Sequence, residues 1–243
     1  MKKWLLLIMM FLGLNSWALA APIDLTGWTP YPGGTWNVSA DGSSVLQTTN
    51  GQPTYFVSTA NYIDTQFKGS FGVETTSDDD FIGFVFGFNG FDDYLLFDWK
   101  QGRQSYTGFA SDGYTLSKIT GSGVNLWDHT GSDIQVLDTS YGAVVNDVGW
   151  ADNTVYDFTL DYTNSGIKIS IDNDLIFDIA GTFDTGKFGF YNYSQSQVRY
   201  QGFTEDPAPP SGPAPVPEPG TLLLVGAGII GLVGYNRKRL IKG

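Results

Sequence analysis

Hydrophobic and polar side chains alternate along most of the chain's interior, a period of two that marks half-buried β-strands. Phe67, Phe71 and Val73 share one face of Gln66 to Glu74. Ile82, Phe84, Phe86 and Phe88 then oppose Phe81, Gly83, Val85 and Gly87, and Leu95, Phe97 and Trp99 alternate with Tyr94, Leu96, Asp98 and Lys100. Later, Tyr156, Phe158, Leu160 and Tyr162 form one face, and a turn at Asn164 to Gly166 leads into Ile167, Ile169 and Ile171. A second turn at Asp172 to Asp174 returns the chain into Leu175, Phe177 and Ile179. Tight polar turns between such runs predict antiparallel hairpins, so the expected fold is an all-β sandwich whose two inner faces enclose one core. No repeat or linker interrupts residues 21–204, which are read as one domain.

Composition agrees with that pattern. The chain has 243 residues, 42% hydrophobic, with 31 glycines and no cysteine. That is enough apolar material for one substantial core, and its stability must come from packing or a bound ion rather than disulfides.

The two ends depart from the alternation. Lys2 and Lys3 precede an apolar run from Trp4 to Leu14, and Ala18, Leu19 and Ala20 supply a small-x-small cleavage site. Residues 1–20 therefore read as a signal peptide, cleaved after Ala20, and the mature chain as exported. Residues 205–219 form a proline-rich spacer, too poor in backbone donors for helix or sheet. Thr221 to Tyr235 carries no charge, and Arg237, Lys238, Arg239 and Lys242 follow. A helix there spans roughly 22 Å against a hydrocarbon core of about 30 Å, so residues 220–236 are expected as a marginal transmembrane helix with a basic cytoplasmic tail at 237–243.

The order VPEP at Val216 to Pro219, a glycine-containing apolar helix, then RKR at Arg237 to Arg239 resembles the PEP-CTERM sorting signal of exopolysaccharide-producing Gram-negative bacteria. The resemblance implies recognition by an exosortase, with removal or replacement of the tail near Pro217 to Pro219. The expected location is the cell envelope, the cell surface or the extracellular matrix.

Charge is unevenly spread. All 25 acidic residues lie between Asp24 and Glu218, whereas six of the 13 basic ones lie in the targeting ends. So acidic a surface repels nucleic acid and attracts cations. Three acids stand together: Asp78, Asp79 and Asp80, directly before the apolar run that starts at Phe81. In a regular strand they would point to alternate faces, so they converge only if the segment is a loop or bulge. Converged carboxylates repel one another unless a cation lies among them. Calcium takes about six to eight oxygen ligands, so the triplet needs additions, for which Asp92, Asp93 and backbone carbonyls are candidates.

The stretch SDDDFIGFVFGF with DYLLFDWKQ resembles the signature of the thrombospondin C-terminal domain, an acidic triplet before a Gly-Phe-x-Phe-Gly strand and a later strand ending in Trp-Lys-Gln. TWNVSADGSSVLQTTNGQP and DTQFKGSF upstream, and LWDHTG, VGW and KFGFYNYSQSQV downstream, follow in the family's order over Thr35 to Phe203. The resemblance implies a concanavalin-like jelly roll that binds calcium at the triplet and serves extracellular adhesion. The family's DxDxDG calcium repeats and epidermal-growth-factor-like modules do not accompany it, so the multivalent assembly of animal thrombospondins does not carry over.

Enzymatic chemistry has little to work with. One histidine, His129, and no cysteine leave no zinc site of the usual ligands, and His129 reads as structural. Within residues 21–204 only Glu74 is a glutamate, so no glutamate pair serves glycoside hydrolysis. Tyr106, Tyr114, Trp127, Tyr141 and Tyr193 are candidates for stacking on sugar rings, with core packing as the competing role. The sequence reading is thus a non-enzymatic, calcium-binding, lectin-like protein that adheres to exopolysaccharide or extracellular protein. A glycan-active enzyme and a purely structural matrix protein are the alternatives.

Overall fold

A computed structural model of the chain describes residues 22–139 and 149–209. The signal peptide, Tyr141, the tail from residue 210 and the expected membrane helix lie outside the described residues. Among those described, no helix is long and apolar enough to cross a membrane.

Among the described residues, a three-residue 3-10 turn at Leu25–Gly27 precedes eighteen strands. They run β1 (Thr29–Pro30), β2 (Trp36–Val38), β3 (Ser44–Gln47), β4 (Thr54–Tyr62), β5 (Thr65–Val73) and β6 (Phe81–Gly90). Next come β7 (Asp93–Lys100), β8 (Gln104–Ser105), β9 (Phe109–Ala110), β10 (Gly113–Ile119), β11 (Val124–Asn125) and β12 (Thr130–Gly131). The last six are β13 (Ile134–Thr139), β14 (Val155–Thr163), β15 (Gly166–Ile171), β16 (Asp174–Ala180), β17 (Gly186–Tyr193) and β18 (Val198–Pro207). One seven-stranded sheet has the order β1-β4-β17-β6-β7-β10-β13, the other β16-β15-β14-β5-β18-β3-β2, and β8-β9 and β11-β12 are separate hairpins. Every pairing is antiparallel and consecutive strands repeatedly change sheet, the sandwich that the alternation predicts.

The core between the sheets holds Phe67, Phe71, Phe84, Phe86, Phe97, Phe158, Leu160, Ile167, Ile169 and Phe188. It is not alone. A second buried layer, with Tyr55, Val57, Phe81, Val85, Phe88, Tyr94, Leu96, Trp127 and Tyr191, covers the other face of the first sheet. The β11-β12 segment supplies Trp127 and the partly buried Val124 and Leu126 to this layer. The expectation of one core is corrected: β6 and β7 are buried on both faces, which is why their sequences read as nearly unbroken apolar runs.

Two bulges change which side chains face inward. Phe88 belongs to the outer layer, not to the face of Ile82, Phe84 and Phe86. Against β17 the register slips between Val85 and Phe88, three steps on β6 facing two on β17, where Gly87 adopts φ +56, and that one extra residue turns Phe88 to the other face. In β16 the register slips opposite Ile169/Ser170, so Leu175 is 56% exposed and Ile176 turns towards the core. At the domain's end, β18 continues to Pro207, three residues past the boundary read at Thr204, because Glu205, Asp206 and Pro207 still pair with β5. Glu205 is therefore part of the sandwich.

Candidate functional site

Asp78, Asp79 and Asp80 lie in the loop that carries the chain from β5 in one sheet to β6 in the other. The loop is irregular, as convergence requires. Ser77 N donates to Thr75 Oγ1 (3.2 Å), and Asp79 N donates to Asp78 Oδ1 (3.1 Å). One carboxylate oxygen from each aspartate lies within 4.8 Å of the other two.

Segments far apart in sequence hold the loop in place. Gln101 N donates to Asp79 O (3.2 Å), Asp80 N to Gln195 Oε1 (3.0 Å), and Trp150 Nε1 to Asp80 O (2.9 Å). Asn50 Nδ2 donates to Asp78 Oδ2. Gly102 permits the close approach, since a Cβ there would stand 2.5 Å from Asp79 Oδ2. The Trp-Lys-Gln, Val-Gly-Trp and Ser-Gln-Ser-Gln segments thus meet at one place, although nothing in their spacing shows it.

The residue that reading by sequence missed is Lys100. Its side chain is fully buried, and Nζ lies 2.5 Å from Asp80 Oδ1, 3.5 Å from Asp79 Oδ1 and 3.1 Å from Asp79 O. Gln104 Oε1 accepts a further bond at 3.2 Å, and the rings of Trp127 and Phe81 stand 4.9 and 5.2 Å from the ammonium. Alternation on β7 put Lys100 on the face of Leu96, and the register Phe81↔Lys100 brings it beside the triplet. Asp80 is 2% exposed, and burial pushes its carboxyl above the ordinary range against the opposing pull of Lys100. Asp80 is thus an anchor, while Asp78 and Asp79 are more open to solvent.

The donor set fits a hard divalent cation: all oxygen, with one of three negative charges already balanced by Lys100. Asp92 and Asp93 do not contribute. They form the turn at the opposite end of β6, about 30 Å away along a ten-residue strand, so the expectation that they complete the shell is corrected.

A second charged pair is buried as well. His129 Nε2 lies 2.8 Å from Asp98 Oδ2, and both side chains are buried. Burial alone would lower the imidazole's pKa, but the charge and hydrogen bond of Asp98, with a smaller effect of Asp128, outweigh it and raise it above 6.5. Glu74 is held by Arg199, with Nε 2.5 Å and Nη2 3.1 Å from its two oxygens. Of the aromatics proposed for sugar stacking, Tyr114, Trp127 and Tyr193 are buried, and Tyr106 is 67% exposed. Phe109, not picked out from sequence, is 60% exposed.

An antiparallel jelly-roll sandwich of lectin-like build, with an acidic loop pinned at its rim, is the class that fold and site define. The sequence profile of the thrombospondin C-terminal region matches residues 32–205, and the chain belongs to that family. A PEP-CTERM protein-sorting motif matches residues 215–238, which implies exosortase processing and export to the cell envelope of Gram-negative bacteria. Thrombospondin-2 of Gallus gallus is 29% identical over 188 residues, covering 68% of this chain and 16% of that protein. Cartilage oligomeric matrix protein of Bos taurus is 28% identical over 186 residues, 67% of this chain and 24% of that one. The chain thus spans only a small fraction of these relatives. Among solved structures, carbohydrate-binding module CBM66 from Bacillus subtilis superimposes with a TM-score of 0.55 at 15% identity, covering 75% of this chain and 97% of the module. That likeness concerns the fold.

Proposed function

We propose that this chain is an exported, non-enzymatic, lectin-like protein of the cell surface or matrix, whose Asp78-Asp79-Asp80 loop binds calcium. It adheres to exopolysaccharide or to an extracellular protein. The observation that carries the reading is the convergence of three carboxylates in a loop held from four sides, with a buried ammonium on one of them. Asp78 and Asp79 would hold the ion, with backbone carbonyls and water completing its shell. Calcium would supply charge neutralisation and a fixed loop shape at the rim where several connections gather.

The non-enzymatic reading has two supports. His129, on which any serine triad would draw, has a side chain only 6% exposed, which closes its ring to a substrate. The two glutamates of the sandwich are far apart: Glu205 pairs with Phe67 near one end of β5, and Glu74 follows Val73 at the other. At about 3.3 Å per residue they are roughly 20 Å apart, against the roughly 5 to 9.5 Å of a glycosidase carboxylate pair.

The test is retention of the purified chain on exopolysaccharide from a PEP-CTERM-bearing bacterium, with calcium and with chelator. Retention in calcium that is lost in chelator, and lost in Asp78→Asn/Asp79→Asn, is the expected result. Binding indifferent to chelator would overturn the calcium reading, and release of reducing ends from the polymer would overturn the non-enzymatic one.

A further inference from the structure

We infer that the β8-β9 hairpin is a preformed sugar-stacking platform, and that its ligand is a polysaccharide chain free of acidic groups. The inference rests on the lectin-like reading above and names the contact surface and the class of glycan.

Two large aromatic side chains lie exposed within one short hairpin: Tyr106 at 67% and Phe109 at 60%. Exposed aromatics this close together are the informative departure in a domain that buries most of its rings. Phe109 faces outward because its neighbour Ala110, on the opposite face of the strand, is buried. Tyr106 sits edge-on to the buried Trp127, with ring centroids 5.3 Å apart. Trp127 in turn contacts Phe81 and Tyr193 and covers the Lys100 ammonium.

The hairpin tip is pinned as well as supported. Asn125 Nδ2 donates to Thr107 O (3.0 Å), while Asn125 Oδ1 accepts from Thr107 Oγ1 (3.2 Å) and Trp127 N (3.0 Å). Gly108 leaves room for the Asp128 carboxylate, since a Cβ there would lie 1.8 Å from Oδ2. Rings held this way lose little freedom on binding, so contact with a flat apolar surface is gained at low entropic cost. A pyranose offers such a surface in its axial C–H face, and its equatorial hydroxyls suit the carboxylate and hydroxyl rim of Asp128 and Thr107.

Charge selects among polysaccharides. The platform adjoins the acidic loop, since Gln104 at the base of the hairpin shares Lys100 with Asp79 and Asp80. With Asp128 at the platform and a domain that stays strongly acidic when calcium sits on Asp78 and Asp79, a polyuronate is repelled, and a neutral or amino-sugar chain is not.

Affinity electrophoresis of the full chain in calcium tests this, with gels containing hydroxyethyl cellulose, laminarin, galactomannan, dextran, chitosan, alginate or polygalacturonate. The expected result is retardation by at least one of the first five and by neither polyuronate. Tyr106→Ala/Phe109→Ser should weaken it about tenfold while circular dichroism shows the chain still folded. Phe109→Ser alone, which leaves the Tyr106–Trp127 contact in place, should weaken it to a lesser degree. If the wild type binds and both variants bind equally well, the platform is overturned while the lectin-like reading stands. Preference for a polyuronate overturns the choice of glycan. No retardation in any gel, with binding instead to an extracellular protein, overturns the platform and leaves only the adhesive reading.

Discussion

Lys100→Met removes the cation that, among the described residues, balances Asp80. Met keeps most of the stem's volume, so the perturbation is mainly electrostatic. Asp80's side chain is 3% exposed and its oxygen lies 2.5 Å from the ammonium, so the variant leaves a carboxylate buried without its partner. Breaking a buried pair in this way costs about 3 to 5 kcal/mol. In a domain of this size each kcal/mol moves the midpoint by roughly 2 to 4 °C, so a fall on the order of 10 °C is expected in chelator at pH 7. Asp80 without Lys100 escapes part of the cost by taking up a proton. Its carboxyl is raised by burial already, and losing Lys100 raises it further, so the deficit is largest above that value and shrinks as pH falls towards 4. Lys100→Met/Asp80→Asn should recover most of the loss, because no charge is then buried alone. Thermal melting by circular dichroism of wild type, Lys100→Met, Asp80→Asn and the double variant at pH 4.5 and 7 measures the cycle. A Lys100→Met midpoint within about 2 °C of wild type at pH 7, or a double variant as unstable as Lys100→Met, would refute the anchoring role.

Three further outcomes follow from the same geometry. His129, whose pKa is raised above 6.5 by Asp98, contributes stability that is fully present below about pH 6.5 and is lost as pH rises through its folded value. Melting between pH 6 and 9 should therefore show a falling midpoint that flattens in His129→Gln, and equal slopes would count against it. Gly102→Ala places a carbon 2.5 Å from Asp79 Oδ2 and pushes that carboxylate aside, so calcium should raise its midpoint less than that of wild type, measured by paired melts with calcium and chelator. Gly87→Ala forces a φ of +56 on a residue with a Cβ and sets that carbon 2.6 Å from Tyr162 Oη. A loss of at least roughly 2 kcal/mol in urea unfolding is expected there.

The sandwich was legible because alternation is a local signal: Phe67, Phe71 and Val73, or Ile167, Ile169 and Ile171, each face the core as their spacing implies. It failed at Phe88 and Leu175 because a bulge inserts one residue, and a period of two carries no record of where that happens. The second layer was missed for a related reason: a strand buried on both faces and a strand rich in apolar residues by chance look alike. At the site, the acidic triplet stood out in sequence, but its partners did not. Lys100, Asn50 and Gln195 reach it through register and loop crossings, up to 115 residues away. Asp92 and Asp93 looked near because they follow closely in sequence, yet a full strand separates them from the triplet.

The central claim is that the triplet loop binds calcium, and titration calorimetry of the chelator-stripped chain tests it most directly. Saturable calcium binding is predicted for the wild type and for Asp92→Ala/Asp93→Ala, with loss in Asp78→Ala/Asp79→Ala, and a midpoint that calcium raises only where binding persists. Equal heats in Asp78→Ala/Asp79→Ala and wild type, or a wild-type midpoint that calcium leaves unchanged, would contradict it.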